Sequence, residues 1–186
     1  RDAAVAKLTS LMKKVGQDYE VFFVADATGL IRADGIGGSY SGINIGERDY
    51  FTAAKAGKAS VGTPIKSKKT GKPVAVVAAP IFDRSGAFTG ILGAALKIDF
   101  LIERVAALKI GKTGYAFMVD RTGAVIAHPN KDFILELNMK NFQGMENITA
   151  QVLAQKSGTE RYVFKGVDKI AGFAPVPLTG WAVAMT

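Results

Sequence analysis

Apolar residues recur with a helical period at two places in the chain, residues 3–19 and residues 99–108. In both stretches the apolar positions are three or four residues apart and therefore fall on one face of a helix. These positions are Leu8, Leu11, Met12 and Val15 in the first stretch and Leu101, Ile102, Val105 and Leu108 in the second. Both stretches are predicted to be amphipathic helices that pack one side against the rest of the fold.

Short apolar runs rich in β-forming residues cross two turns of the same type, Asp26-Ala27-Thr28-Gly29 and Asp120-Arg121-Thr122-Gly123. Asp favours a turn and Gly supplies the positive φ, so each turn predicts a β-hairpin. The two turns lie 94 positions apart. A second pair of similar segments, residues 78–81 and residues 173–176, lies 95 positions apart. Two matches at nearly one offset predict two tandem modules of similar fold.

Further elements are predicted downstream of each hairpin: a glycine-rich loop, a short helix and two strands in the first module, and a helix and three strands in the second. Their ranges are 35–46, 47–56, 74–82 and 88–98 in the first module, then 147–156, 160–164, 168–174 and 181–185 in the second. Antiparallel hairpins with helices on one side predict an α+β fold.

Composition narrows the function. The 186 residues include no cysteine and one histidine, His128, so thiolate metal sites and cysteine nucleophiles are excluded and a histidine-based active site is disfavoured. The predicted function is therefore binding, not catalysis. His128 follows a predicted strand, where we expect its ring to cap the strand. The net charge of +8 suits an anionic partner. Because the basic residues are scattered along the chain, a nucleic-acid partner is not expected.

Membrane-spanning segments are not expected within these residues, because the longest apolar stretches, 73–82 and 88–96, fall far short of the ~20 residues that a spanning helix needs. The chain starts at Arg1 without a methionine or an apolar leader, so we interpret it as a fragment or a processed chain.

The predicted loop and helix after the first hairpin hold the candidate binding residues. Arg48 offers a planar fork of donors that matches a carboxylate, and the adjacent aromatic residues could form the wall of an apolar slot. The group consists of Tyr40, Asn44, Arg48, Tyr50 and Phe51. The alternative is an ordinary surface arginine beside core aromatic residues. The basic tract 65–72 is likewise either part of a site or a solvated hairpin tip.

Several segments resemble the double Cache sensor domains of bacterial and archaeal chemoreceptors and sensor histidine kinases. The resemblance lies in residues 114–123 with Ala127-His128-Pro129, in residues 174–181, in Arg48-Asp49-Tyr50-Phe51, and in residues 71–99. It implies two PAS-like modules on a long N-terminal helix that rises from the membrane. The implied division is a signalling helix over 1–19, a membrane-distal ligand-binding module over 20–98, a connecting helix over 99–112 and a membrane-proximal module over 113–186.

The same resemblance implies a homodimeric receptor in the inner membrane, anchored through segments outside this chain, with this part on the periplasmic or extracellular side. No cofactor and no metal are expected.

The resemblance also bears on the ligand. In amino-acid-binding members an arginine followed by two aromatic residues clamps the ligand carboxylate, and Arg48 with Tyr50 and Phe51 matches that cluster. Those members hold the amino group with an Asp after a Gly-x-x-Gly-Ala motif, where this chain has Ala95. Because a buried ammonium without a counter-charge is costly, a carboxylate without an amine is predicted.

Candidate ligands are therefore acetate, propionate, lactate, pyruvate or a dicarboxylate. Lys66, Ser67 and Lys97 are expected to supply further donors to the ligand. Two alternatives stay open: an amino-acid sensor, and a spacer that docks a periplasmic binding protein without a direct small ligand.

Overall fold

The computed structural model describes residues 2–186, which divide into two compact units with the boundary between Ile98 and Asp99. Each unit has one six-stranded antiparallel sheet. The α+β class is confirmed, as is the N-terminal helix.

The first unit begins with helix α1 (Asp2–Val15), followed by strands β1 (Tyr19–Asp26) and β2 (Ile31–Asp34). Helix α2 (Asp49–Lys55) comes next, and the remaining strands are β3 (Ser60–Val61), β4 (Ile65–Lys66), β5 (Pro73–Phe82) and β6 (Phe88–Lys97). The strand order is β2-β1-β6-β5-β3, with β4 also paired to β5.

Helix α1 is shorter than predicted, because Gly16 to Asp18 turn the chain into β1. The helix packs on β1 and β2, with Leu8 buried. Gly35 makes this approach possible, since a Cβ there would lie 2.7 Å from the Leu8 carbonyl oxygen.

The second unit begins with helix α3 (Asp99–Ala107) and strand β7 (Lys109–Ile110), so the segment expected as a connector is part of this unit. Helix α3 packs on β8 and β9 because its buried face carries Ile102 and Val105. The other elements are β8 (Gly114–Val119), β9 (Val125–Ala127), two 3₁₀ helices (Lys131–Phe133 and Met139–Asn141), α4 (Glu146–Leu153), β10 (Gly158–Phe164), β11 (Val167–Val176) and β12 (Trp181–Met185). The strand order is β10-β11-β12-β8-β7, with β9 paired to β8.

The two Asp-x-Thr-Gly turns have the same structure. The Asp26 and Asp120 Oδ1 atoms each accept hydrogen bonds from the backbone and hydroxyl of the Thr two residues later. Their glycines adopt the expected positive φ, 83° at Gly29 and 90° at Gly123. Each turn is also bridged to an asparagine further along the chain, through Leu30 to Asn44 and through Ala124 to Asn138. The internal repeat is therefore structural as well as sequential.

Candidate ligand site in the first unit

A cavity of about 50 Å³ lies in the first unit beside the hydrophobic core. At about 10–15 Å³ for each water-sized group, it accommodates three to five non-hydrogen atoms. Most of its wall is apolar, contributed by Val21, Phe23, Ile31, Ile43, Ile45, Ile65, Val74, Val76 and Ala95. The polar lining residues are Glu20, Tyr40, Arg48, Tyr50, Ser67 and Lys68. An apolar pocket with a few polar groups is the usual form of a small-molecule site.

Arg48 lies at the entrance to helix α2 and not inside it as predicted. Its backbone is extended, with φ −77° and ψ 142°, so it is the N-cap residue. Its side chain is half-buried and has no carboxylate partner among residues 2–186. A cation in that position is available to an anion from solution.

Asp49, the next residue, holds the start of α2 in place. Its Oδ2 atom accepts hydrogen bonds from the Thr63 backbone N–H at 2.8 Å and the Thr63 hydroxyl at 2.6 Å. Its Oδ1 atom accepts from the Tyr50 N–H at 2.7 Å. These bonds fix the backbone on which Arg48 and Tyr50 are placed.

Tyr50 is 4% exposed, and burial raises the pKa of its hydroxyl to about 12, with the nearby positive charge of Arg48 acting in the opposite direction. The hydroxyl is therefore neutral at physiological pH and can donate a hydrogen bond beside the guanidinium.

Glu20 is a polar residue of the cavity that the sequence reasoning missed. Its Oε1 atom accepts hydrogen bonds from the hydroxyls of Tyr40 and Ser67, and its Oε2 atom accepts from the Thr70 hydroxyl at 2.6 Å. Burial by itself would raise the pKa of Glu20, but these hydroxyls and the charge of Lys97 hold it below its usual value. Glu20 is therefore a carboxylate at neutral pH.

The alternation of buried and less buried positions along strand β1 is the sequence signal that bears on Glu20, but it does not predict that Glu20 lines the cavity. The buried positions Val21, Phe23 and Ala25 alternate with less buried ones, which assigns Glu20 to the other side of the strand. A register shift between Tyr19 and Val21 in the pairing with β6 breaks that alternation at Glu20. Such a bulge redirects a side chain and leaves no clear sequence signal.

The structure brings together four of the eight predicted site residues: Tyr40, Arg48, Tyr50 and Ser67 all line the cavity. The other four do not line this cavity, although Asn44 lines a neighbouring pocket together with Arg48 and Lys68. Asn44 is exposed, with its side-chain oxygen accepting from the Gly46 N–H at 2.8 Å. Phe51 belongs to the core and packs edge-on against Phe88, at 5.9 Å between ring centroids.

The two remaining predicted residues are lysines. Lys66 is exposed in the short strand β4, and Lys68 lines the cavity in its place. The Lys97 ammonium donates to the carbonyl oxygens of Gly16 and Gln17, at 3.1 and 3.2 Å, just past the end of α1. The tract 65–72 is a hairpin tip, as the alternative interpretation had it, although Ser67 within it is buried.

Comparisons with known proteins agree with this architecture. A double Cache family model, described as Cache domain, matches residues 1–186. The methyl-accepting chemotaxis protein TlpA of Bacillus subtilis is 32% identical over 148 residues, which are 78% of this chain and 21% of that protein. The chain thus spans about a fifth of the length of this relative.

Solved structures show the same fold. The extracellular domain of mmHK1S-Z2 superposes with a TM-score of 0.80 at 20% identity, covering 99% of this chain and 80% of that one. The ligand-binding domain of Mlp24, solved with asparagine, gives a TM-score of 0.70 at 18% identity, and the match covers 100% of this chain and 82% of that one.

Two antiparallel α+β units in tandem, the first with a small and mostly apolar cavity that includes charged side chains, agree with a ligand-binding sensor domain. The chain belongs to the Cache domain family, as the sequence resemblance predicted. No helix within residues 2–186 has both the length and the hydropathy to cross a bilayer.

Proposed function

We propose that the chain is the extracytoplasmic sensory region of a membrane chemoreceptor and that the first unit binds a small organic acid. The family and the similarity to a methyl-accepting chemotaxis protein support the receptor assignment. The membrane anchors and the homodimer interface of the receptor are part of this proposal.

The observation that carries the ligand class is the unpaired, half-buried guanidinium of Arg48 at the cavity. A carboxylate can take two parallel hydrogen bonds from it, with the Tyr50 hydroxyl as a further donor. The apolar wall then receives the rest of the ligand.

The size of the cavity and the charge of its lining narrow the class of ligand. Room for three to five non-hydrogen atoms suits acetate or propionate, whereas lactate and pyruvate, with six, would extend beyond the cavity. Glu20 is a fixed negative charge at the same cavity, so the second carboxylate of a dicarboxylate meets like-charge repulsion there. We therefore place monocarboxylates ahead of dicarboxylates.

An amino acid is the second candidate, and Glu20 is the observation that favours it. The Asp of amino-acid-binding members is replaced by Ala95, which does line the cavity, but Glu20 supplies a carboxylate from another strand. Its Oε2 atom accepts one hydroxyl from within the chain and has room for a second donor such as an ammonium. Mlp24 was solved with an amino acid, asparagine.

A route from the cavity to the N-terminal helix supports signalling. Ala95 of strand β6 lines the cavity, and Lys97 two residues later holds the carbonyls that follow α1. A ligand that favours one position of β6 would shift the population of α1 arrangements in a receptor dimer.

The experiment is isothermal titration of the purified chain at pH 7 with acetate, propionate, lactate, pyruvate, succinate and the twenty amino acids. The matched variants are Arg48→Ala and, as control, Arg32→Ala, which removes an exposed arginine paired with Asp26 away from the cavity. Binding of a monocarboxylate that is lost in the first variant only supports the proposal. Binding of amino acids alone supports the second candidate, and no binding by any compound supports a spacer that docks another protein.

A further inference from the structure

The second unit also contains a cavity, which is smaller and is lined mostly by aromatic rings. Its volume is about 30 Å³, space for two or three non-hydrogen atoms. The lining residues are Tyr115, Phe117, Val125, His128, Phe133, Leu137, Met139, Phe142, Met145, Tyr162 and Phe164. None of these residues carries a carboxylate.

This cavity is the repeat counterpart of the one in the first unit. Within residues 21–48, six residues that line the first cavity correspond, at the offset of 94 positions, to six that line the second. The pairs are Val21 and Tyr115, Phe23 and Phe117, Ile31 and Val125, Ile43 and Leu137, Ile45 and Met139, and Arg48 and Phe142. The repeat has therefore kept a cavity at the same place in both units.

The charged groups of the first cavity are absent at the corresponding positions. Gly114 stands at the position of Glu20, and Phe142 at the position of Arg48. His128, one of three polar rings in the wall with Tyr115 and Tyr162, accepts a hydrogen bond at Nδ1 from the Asn130 N–H at 2.8 Å. Burial lowers the pKa of His128, so the ring is neutral at pH 7 and the wall carries no charge.

Two lysines lie over rings that line this second cavity. The Lys165 ammonium is 4.6 Å from the centroid of the Phe133 ring and 5.5 Å from that of Phe164. The Lys169 ammonium is 4.5 Å from the centroid of Tyr115. Within residues 2–186 neither has a carboxylate partner.

The backbone at Lys165 is unusual as well. It has φ 52°, next to Gly166 with φ 78°, in the tight turn between β10 and β11. Asn or Gly is the ordinary choice at the first position of such a turn. A lysine there bears some backbone strain and places its ammonium over the rings of Phe133 and Phe164.

We propose that the second unit binds a short unbranched monocarboxylate, with two or three carbons enclosed by the rings and the carboxylate between Lys165 and Lys169. Apolar burial supplies the attraction for the hydrocarbon end, and the unpaired ammonium groups supply the counter-charge for the other end. This site is separate from that of Arg48, and the inference does not depend on the ligand of the first unit.

Methionine methyl groups provide a readout specific to this site. Met139 and Met145 line the second cavity, whereas no methionine lines the first. The experiment records ¹³C-methyl methionine spectra of the whole chain carrying Arg48→Ala, titrated with butyrate. Propylamine and 1-propanol are the cationic and neutral controls of similar length. Butyrate should shift the Met139 and Met145 signals at millimolar concentration, and Met12 in α1 should stay in place.

The charge requirement is tested by Lys165→Asn with Lys169→Gln. Asn suits the positive φ at position 165, so the turn is kept while the charge is lost. We expect the butyrate Kd to rise at least tenfold in the double variant and to stay unchanged in Lys156→Gln, an exposed lysine of the same unit. The proposal is overturned if Met139 and Met145 do not move, if propylamine moves them equally, or if the double variant binds as before.

Discussion

The two units share one plan but differ in what they hold at its centre. The cavity of the first unit has two cations, a carboxylate and three hydroxyls among its apolar residues, while seven of the eleven residues that line the second cavity carry aromatic rings and none carries a carboxylate. A few positions account for the difference, chiefly Glu20 against Gly114 and Arg48 against Phe142. A repeated fold thus fixes where a cavity lies, and a small number of side chains decides which chemistry it can bind.

The polar cavity needs more local support than the apolar one, because each buried polar group must be given partners. Asp34 is part of that support. It is fully buried, and its carboxylate accepts from the N–H groups of Ile36, Gly38 and Tyr40 at 2.8–2.9 Å. At the repeat position His128 makes one such bond, to the Asn130 N–H.

The largest expected effect is therefore on Asp34. Asp34→Ala removes three charge-assisted hydrogen bonds and leaves the buried Tyr40 N–H unpaired, so the free energy of unfolding of the first unit should fall by about 3–5 kcal/mol. Calorimetry would measure this loss of stability. Trp181 fluorescence would follow the second unit as an internal control, since the single tryptophan lies there. An equal loss in His128→Ala would contradict the contrast drawn between the two units.

The next largest effect is expected when the residue that most distinguishes the two cavities, Arg48, is replaced. Arg48→Phe gives the first cavity its counterpart's residue and removes the clamp, so affinity for the organic acid should fall by about 2–5 kcal/mol, roughly 30-fold or more in Kd. Titration calorimetry measures the loss. Arg48→Lys, which keeps the charge but not the planar fork, should lose less. Unchanged affinity in Arg48→Phe would show that the ligand binds elsewhere.

Glu20→Gln sharpens the comparison by removing the one carboxylate of the first cavity while keeping its shape. For an amine-free acid we expect equal or tighter binding, because the like charge is gone. For an amino acid we expect a loss of about tenfold, near 1.4 kcal/mol, because the ammonium loses its partner. The two ligand classes thus predict changes in affinity of opposite sign for the same substitution, and one titration series measures both.

The pKa of Glu20 adds a stability test. Because it is lowered in the folded state, its stabilising contribution is present above the unfolded pKa near ~4.3 and is lost as the pH falls through the folded value. The fall in melting temperature of the first unit between pH 5 and pH 3 should be smaller in Glu20→Gln. An identical fall would mean that the hydroxyl cluster contributes nothing to folding.

The sequence predicts the repeat, the α+β class and most strands because apolar periodicity and the Asp-x-Thr-Gly turns are local signals. It predicts Arg48 and Tyr50 at the cavity for the same reason, as a short motif at a helix start. Phe51 is adjacent in sequence, but the helix turns it into the core.

What the sequence leaves out depends on pairing between distant segments. Glu20 meets Ser67 and Thr70 only because a bulge and a hairpin tip, about fifty residues apart in the chain, come together. Lys97 is two residues from Ala95 in one strand, yet it bonds to the end of α1 instead of lining the cavity. No local pattern contains that information.

The smallest expected effect is a pH dependence confined to the second unit. His128 is packed among the rings of Tyr115, Phe117 and Phe133, with the charge of Lys169 nearby. Burial is the main cause that lowers the pKa of His128, and the charge of Lys169 acts in the same direction, so the unfolded chain takes up the proton at higher pH than the folded one. Stability is therefore complete above the unfolded value near ~6.5 and decreases as the pH falls through the folded pKa.

Melts followed by Trp181 fluorescence between pH 7.5 and pH 5.5 would measure this slope in the second unit. Because His128 is the sole histidine, His128→Gln should flatten the slope whatever it does to the absolute stability. The first unit, which has no histidine, serves as the matched reference and should show little change over the same range. If the pH dependence of stability persists in His128→Gln, the titration belongs to another group. The two cavities would then not differ in charge at mildly acid pH through His128.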